Sequence, residues 1–179
     1  MLKWLNKDLA DVGKVGITFG AMDLLHGGHI AMLAEAKRKC DYLVVGLQND
    51  PSGDRDFKNA PVQSLFERQL QLSAVRYVDD IIVYNKEEEI VDILLTLPIK
   101  VRIIGEDYLN QPFTGKELCE QKGIEMVYNS RQHSFSTSEL RKRVHSRDKE
   151  EIELARKENA EYYDAVSYTH LTLPTILLV

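Results

Sequence analysis

Apolar residues fall into five short, unbroken runs rich in Val and Ile, at 15–19, 42–47, 81–84, 101–105 and 124–128. Runs of this length without polar alternation are those of strands covered on both faces, the habit of a parallel sheet. The segments between them, 30–40, 65–75, 86–97 and 115–122, place apolar residues at helical spacing. Strand alternating with helix predicts an α/β fold: a doubly wound, Rossmann-like, mainly parallel five-stranded sheet with helices on both faces. Capping-box pairs mark four helix starts: Ser64 with Glu67, Asn85 with Glu88, Thr114 with Glu117, and Ser136 with Glu139. No internal repeat is visible.

In such a sheet ligands bind beyond the C-terminal ends of the strands, near the point where the winding reverses. The candidate chemistry collects at those ends. Directly after the first run stands Gly20-Ala21-Met22-Asp23-Leu24-Leu25-His26-Gly27-Gly28-His29. The spacing predicts both imidazoles on one face of the first turn of a helix. Unpaired N–H groups and the positive dipole end gather there and attract anions, and Gly27 and Gly28 leave room for a phosphate to approach the backbone. A zinc pair is the rival, but HxxH without a third ligand close by is weak metal spacing, and no metal-ligating residue is assigned. Gly105-Glu106-Asp107-Tyr108 and the segment after Tyr128 occupy two further strand ends. The polar loop 49–61, carrying Arg55 and Lys58, reads either as a lid or as a plain surface connection.

A length of 179 residues suits one domain with a real core, and 44% hydrophobic with 28% charged residues is a globular composition. No apolar stretch reaches membrane-spanning length, and Lys3, Lys7, Asp8 and Asp11 are unlike a signal peptide, so a cytoplasmic protein without a membrane partner is expected. Cys40 and Cys119 lack metal spacing and read as free thiols. Residues 148–165 hold −4 of the net charge of −5. The remainder is close to neutral, which argues against a nucleic-acid surface.

The stretch 18–29, from Thr18 to His29, resembles the HxGH signature of the nucleotidyltransferase superfamily. Arg131-Gln132-His133-Ser134-Phe135-Ser136-Thr137-Ser138 is similar to the RTxGISTT motif of its cytidylyltransferases, and Glu67-Arg68, Arg76-Tyr77-Val78-Asp79 and Ile104-Gly105-Glu106-Asp107-Tyr108 follow the same order. Within the cytidylyltransferase family, the glycerol-3-phosphate branch matches best, over roughly 14–144. The resemblance implies transfer of CMP from CTP to a small phosphomonoester, glycerol 3-phosphate first, giving CDP-glycerol and pyrophosphate. Open alternatives are an adenylyltransferase for a sugar phosphate or flavin, a phosphoethanolamine cytidylyltransferase, and a catalytically silent nucleotide-binding module. By resemblance His26, His29, Lys58 and Arg131 are catalytic; Thr18, Gly20, Ala21, Met22, Gly28, Gly105, Asp107, Ser136, Thr137 and Ser138 hold the nucleotide; and Arg55, Arg68 and Arg76 meet the acceptor. Mg²⁺ is expected to travel with the triphosphate, and the resemblance implies a homodimer. The sequence differs from the family at Ala21-Met22 and in a thinner basic loop; Lys86 is the nearest counterpart of the acceptor-side lysine.

The expected organisation is an N-terminal extension 1–13, a nucleotidyltransferase domain 14–144 and an acidic helical extension 145–165. The string 166–179 resembles the translation of a sequencing adapter and is expected to carry no biological information.

Overall fold

Five strands, β1 (Val15–Gly20), β2 (Tyr42–Gln48), β3 (Asp80–Tyr84), β4 (Val101–Gly105) and β5 (Glu125–Asn129), form one sheet in the order β3-β2-β1-β4-β5. Every pairing is parallel. The computed structural model describes residues 12–54, 59–130, 135–145, 156–157 and 159–160. The helices are α1 (Gly27–Lys37), α2 (Leu65–Ser73), α3 (Glu89–Thr96), α4 (Lys116–Lys122) and α5 (Thr137–His145). The fold is the expected α/β doubly wound architecture.

Each central strand feeds two cores. Leu43, Val45, Leu47, Val101 and Ile103 pack under α1 and α2 with Leu33, Ala36, Leu72 and Val75. Ile17 and Val44 face the other way, against Ile90, Ile93 and Leu94 of α3 and Cys119 of α4. Crossovers from β1 to β3 thus use one face, and those from β3 to β5 use the other. The winding reverses between β1 and β4, so the loops after these two strands part and open a crevice at their C-terminal ends.

Two of the four expected capping boxes are absent, because a distant partner takes the capping side chain. Asn85 Oδ1 accepts from Asn49 Nδ2 at 3.1 Å, and Lys86 N–H bonds to Glu89 Oε1 at 2.9 Å instead. Thr114 donates its hydroxyl to Glu87 Oε1 at 3.0 Å, and α4 starts after Gly115, whose φ of 80° is left-handed. The Ser64–Glu67 box forms in both directions. At α5, Ser136 Oγ accepts from Glu139 N–H at 3.0 Å.

The chain divides into two compact units, 1–134 and 135–179, a boundary inside the expected span 14–144. The second unit contains α5, which buries none of its residues and carries Lys142, Arg143 and His145 in its last turn. Most of 1–13 and 145–165, and all of 166–179, lie outside the described residues. Among the described residues no helix is long and apolar enough to cross a membrane.

Two groups make stability fall at high pH. Burial pushes the Cys40 thiol up, with Asp79 and Asp41 adding to the effect, and both cysteines are buried and unpaired. Burial, then the charges of Asp80 and Asp79, push the Tyr42 phenol up to about 12. Both groups hold their protons more tightly folded than unfolded, so their contribution is complete below the unfolded values and is lost as pH rises through the folded ones. Chemical denaturation is expected to give constant stability from these groups to about pH 8 and a decline from there towards pH 12.

Candidate active site

The loop from β1 to α1 is built on two left-handed, non-glycine residues, Met22 (φ 49°) and Leu24 (φ 48°). Each costs roughly 1–2 kcal/mol and persists only where neighbours hold it. Asp23, between them, is buried and accepts from the backbone N–H groups of Val62 and Gln63, both at 3.0 Å. Gln63 Oε1 accepts from Leu24 N–H at 2.8 Å. Arg68, fully buried on α2, donates through Nη1 to Ala21 O and Gln48 O at 2.7 Å each, through Nε to Gln63 O at 3.1 Å, and through Nη2 to Asn49 O. The entry to α2 is thereby stitched to the ends of both β1 and β2.

Out of this loop comes His26, extended (φ −136°, ψ 174°), as the N-cap of α1 rather than a member of its first turn. Its Nδ1 accepts from Gly28 N–H at 3.1 Å, and its own N–H reaches His29 Nδ1 at 3.4 Å. This is a capping box made of two imidazoles. The rings lie 4.0 Å apart between centroids, tilted by 31°. Because each Nδ1 is an acceptor, each neutral ring carries its proton on Nε2, so the cap fixes both tautomers as Nε2–H donors. The first turn of α1 holds no acid, and the positive end of the helix is left to an anion. Gly28 is buried and its N–H serves His26, so it offers the site space rather than a donor.

Across the crevice, Gly105 ends β4 and opens the short 3₁₀ turn Glu106–Tyr108, with Asp107 exposed. Thr18 is buried within β1, and Gly20 ends that strand, where an added Cβ would come within 3.2 Å of Met22 Cε. Thr18, Gly20, Ala21, Met22, His26, Gly28 and His29 thus belong to the β1 side of the switch point, and Gly105 and Asp107 to the β4 side. Ser136, Thr137 and Ser138 open α5 in the second unit. Arg55, Lys58 and Arg131 lie outside the described residues.

Two acceptor assignments are corrected. Arg68 spends its guanidinium on four backbone carbonyls and is a clamp, not a phosphate ligand. Arg76 is exposed, stacks on Tyr77 at 5.6 Å and lies between α2 and β3. That connection leads into the N-terminal end of a parallel strand, the edge opposite the histidines.

A family model described as Cytidylyltransferase-like matches residues 17–147. The chain belongs to this family. The cytidylyltransferase-like chain is 36% identical over 132 residues to "Bifunctional protein HldE" of Paramagnetospirillum magneticum, covering 73% of itself and 27% of that protein. To the HldE of Gluconacetobacter diazotrophicus it is 34% identical over 126 residues, covering 70% and 26%. It therefore spans about a quarter of the length of these relatives. A lipopolysaccharide core biosynthesis protein of Thermoplasma volcanium is 25% identical with a TM-score of 0.53, covering 66% of this chain and 95% of that one. The HxGH assignment and the enzyme class, a nucleotidyltransferase, stand on this match.

Three buried polar residues around the site were not singled out by the sequence: Asp23, which anchors the histidine loop; Arg102, on β4; and Asn129, at the end of β5. Asn129 is buried and donates through Nδ2 to Met32 O of α1 at 3.0 Å. Arg102 lies inside an apolar run and Asn129 at the edge of one, the one signal the sequence offered for them.

Proposed function

We propose that this chain transfers CMP from CTP to a small phosphomonoester, with glycerol 3-phosphate the first acceptor and CDP-glycerol and pyrophosphate the products. The observation that carries the reading is the imidazole capping box, which supplies two Nε2–H donors of fixed tautomer at a helix N-terminus facing the switch-point crevice. An acceptor phosphate oxygen attacks the α-phosphorus, the bond from that phosphorus to the β-phosphate oxygen breaks, and pyrophosphate leaves with the electron pair. No covalent protein nucleophile is required. The residues position the reactants and stabilise the charge that builds on the α-phosphate and leaving oxygens.

In this reading His26 and His29 meet those oxygens. Lys58 and Arg131 add cationic charge on the triphosphate, and Gly105 and Asp107 face the base. With Arg68 and Arg76 withdrawn, Arg55 is the remaining acceptor cation. Mg²⁺ would be carried by triphosphate oxygens and water, in keeping with its preference for substrate phosphates. When bound it neutralises phosphate charge.

The thinner acceptor site and the likeness to HldE proteins and to a lipopolysaccharide core biosynthesis protein favour one second reading, AMP transfer from ATP to a sugar phosphate. Pyrophosphate release by the purified chain, with CTP and ATP each paired with glycerol 3-phosphate, phosphoethanolamine and a sugar 1-phosphate, separates the readings. Release with CTP and glycerol 3-phosphate is the expected result; release only with ATP and the sugar phosphate replaces it by the second reading. No release with any pair leaves a silent nucleotide-binding module.

The homodimer belongs to the same proposal. Phe66 and Leu70 lie four residues apart on the outer face of α2 and Val62 just before the helix, with exposures of 71%, 61% and 64%. Neutral Gln69 and Ser73 and the exposed Glu67, held by the Ser64 capping box, flank them, and an apolar, aromatic-bearing stripe of this kind suits the centre of an interface. Two copies of α2 packed antiparallel about a twofold axis would cover the stripe with itself. Sedimentation at micromolar concentration is expected to show a dimer that Phe66→Glu converts to a monomer; a wild-type monomer sinks the proposal.

A further inference from the structure

Tyr84, Phe19, Arg102, Phe113 and Tyr108 form a continuous chain of ring and cation contacts from the end of β3, across β1 and β4, to the loop after β4. Tyr84, the last residue of β3, meets Phe19 of β1 edge-on at 5.7 Å. The Arg102 guanidinium of β4 lies between the rings of Phe19, at 5.3 Å, and Phe113, at 4.9 Å. Phe113 in turn meets Tyr108 edge-on at 6.2 Å. Arg102 is only 5% exposed, and its Nε is buried without a hydrogen-bond partner. Its Nη1 donates to Thr114 O at 2.6 Å, and an added Cβ on Gly115 would stand 2.9 Å from the same nitrogen. The loop 106–115 therefore closes on this guanidinium.

An aliphatic residue would fill this position on β4 without the cost of burying a cation. What the guanidinium adds is a plane: it meets a ring on either side and holds Phe113 of the loop against β4. Before Phe113, the loop closes local bonds, Leu109 N–H to Glu106 O and Gln111 N–H to Tyr108 O. Its far end is fastened at Phe113 by the stack and at Thr114 by Arg102 and Glu87. Tyr108 directly follows Asp107 and completes the turn that Gly105 opens.

We propose that Arg102 is a positioning residue for nucleotide selection, setting through Phe113 and Tyr108 where Gly105 and Asp107 meet the base. The inference rests on the nucleotide-transfer reading and on these two residues facing the base. It makes selectivity between CTP and ATP a property of the stack, several residues away from any atom of the base.

The test is steady-state turnover of Arg102→Met and Phe113→Leu on CTP and ATP, with the acceptor the wild type uses, alongside thermal melts. The expected result is about a tenfold rise in nucleotide KM and at least about a fivefold fall in the ratio of kcat/KM between the two nucleotides, with kcat at saturation within about threefold of wild type. A merely structural arginine would lower the melting temperature and leave that ratio in place, which overturns the proposal. So does a loss confined to kcat. If Arg102→Met does not fold, Phe113→Leu decides by the same criteria, since Phe113 is only partly buried. Wild-type protein that turns over neither nucleotide removes the functional reading itself, a failure distinct from an unchanged ratio in an active enzyme.

Discussion

Replacing His29 with alanine is expected to lower kcat by about 10²–10³ while CTP affinity changes by less than about fivefold, because a donor aimed at charge formed in the transition state acts mainly on kcat. The structure gives this ring two jobs that substitutions can separate. Its Nδ1 accepts the His26 N–H at 3.4 Å, and this return bond is a structural function at the third position of α1. Glutamine suits that position in capping boxes. His29→Gln is therefore expected to melt close to wild type and still to lose activity like His29→Ala. The partner ring divides in the same way. His26→Ala removes the N-cap of α1 at about 1 kcal/mol, whereas His26→Asn retains an acceptor for Gly28 N–H and removes only the Nε2 donor. Pre-steady-state turnover, direct CTP titration and thermal melts on all four variants separate the contributions. A kcat within a few-fold of wild type in folded His29→Gln would end the assignment of this imidazole as the donor.

The sheet was legible because its strands are runs of mostly apolar residues, a pattern that tolerates single polar positions such as Arg102 in β4 or Glu125 in β5. Strand β4 occupies the expected 101–105, and the other four strands lie within one residue of expectation at either end. The order β3-β2-β1-β4-β5 also locates the site, since ligands gather where winding reverses. Helix α1 begins three residues before the expected 30–40, because His26 caps it with a side chain not among the usual N-caps. Charged residues were harder to place, since a charge says nothing about which end of a strand it meets. Arg76 precedes β3, and topology alone puts that turn at the edge away from the histidines. Arg68 shares a helical stripe with Leu65 and Leu72, at spacings of three and four, so its burial was written in the phase of α2. Its four carbonyl partners come from three separate segments and are visible only once the chain is folded.

That clamp carries the largest expected effect on stability. Arg68→Met is expected to cost about 3–5 kcal/mol, the range found when one member of a buried polar or charged set is removed and its partners are left behind. Here the remainder would be the carbonyls of Ala21, Gln48, Asn49 and Gln63, with the buried Asp23 carboxylate losing the cation whose charge it meets. In a domain of this size that corresponds to a fall in melting temperature of roughly 10–20 °C. Burial lowers the Arg68 pKa but leaves it charged at every workable pH, so the loss is expected to be flat across neutral pH. Arg68→Lys retains the charge without the fork and is expected to rescue only part of the loss, since one ammonium cannot span carbonyls on three segments. Function follows from the same contacts. Ala21 O is tied one residue before the left-handed Met22, so releasing it relaxes the loop that delivers His26, and kcat is expected to fall in the fraction that remains folded. An acceptor-phosphate ligand would behave otherwise, raising the acceptor KM with little change in melting. If Arg68→Met melts within about 2 °C of wild type and only the acceptor KM moves, the clamp is wrong and the phosphate role returns.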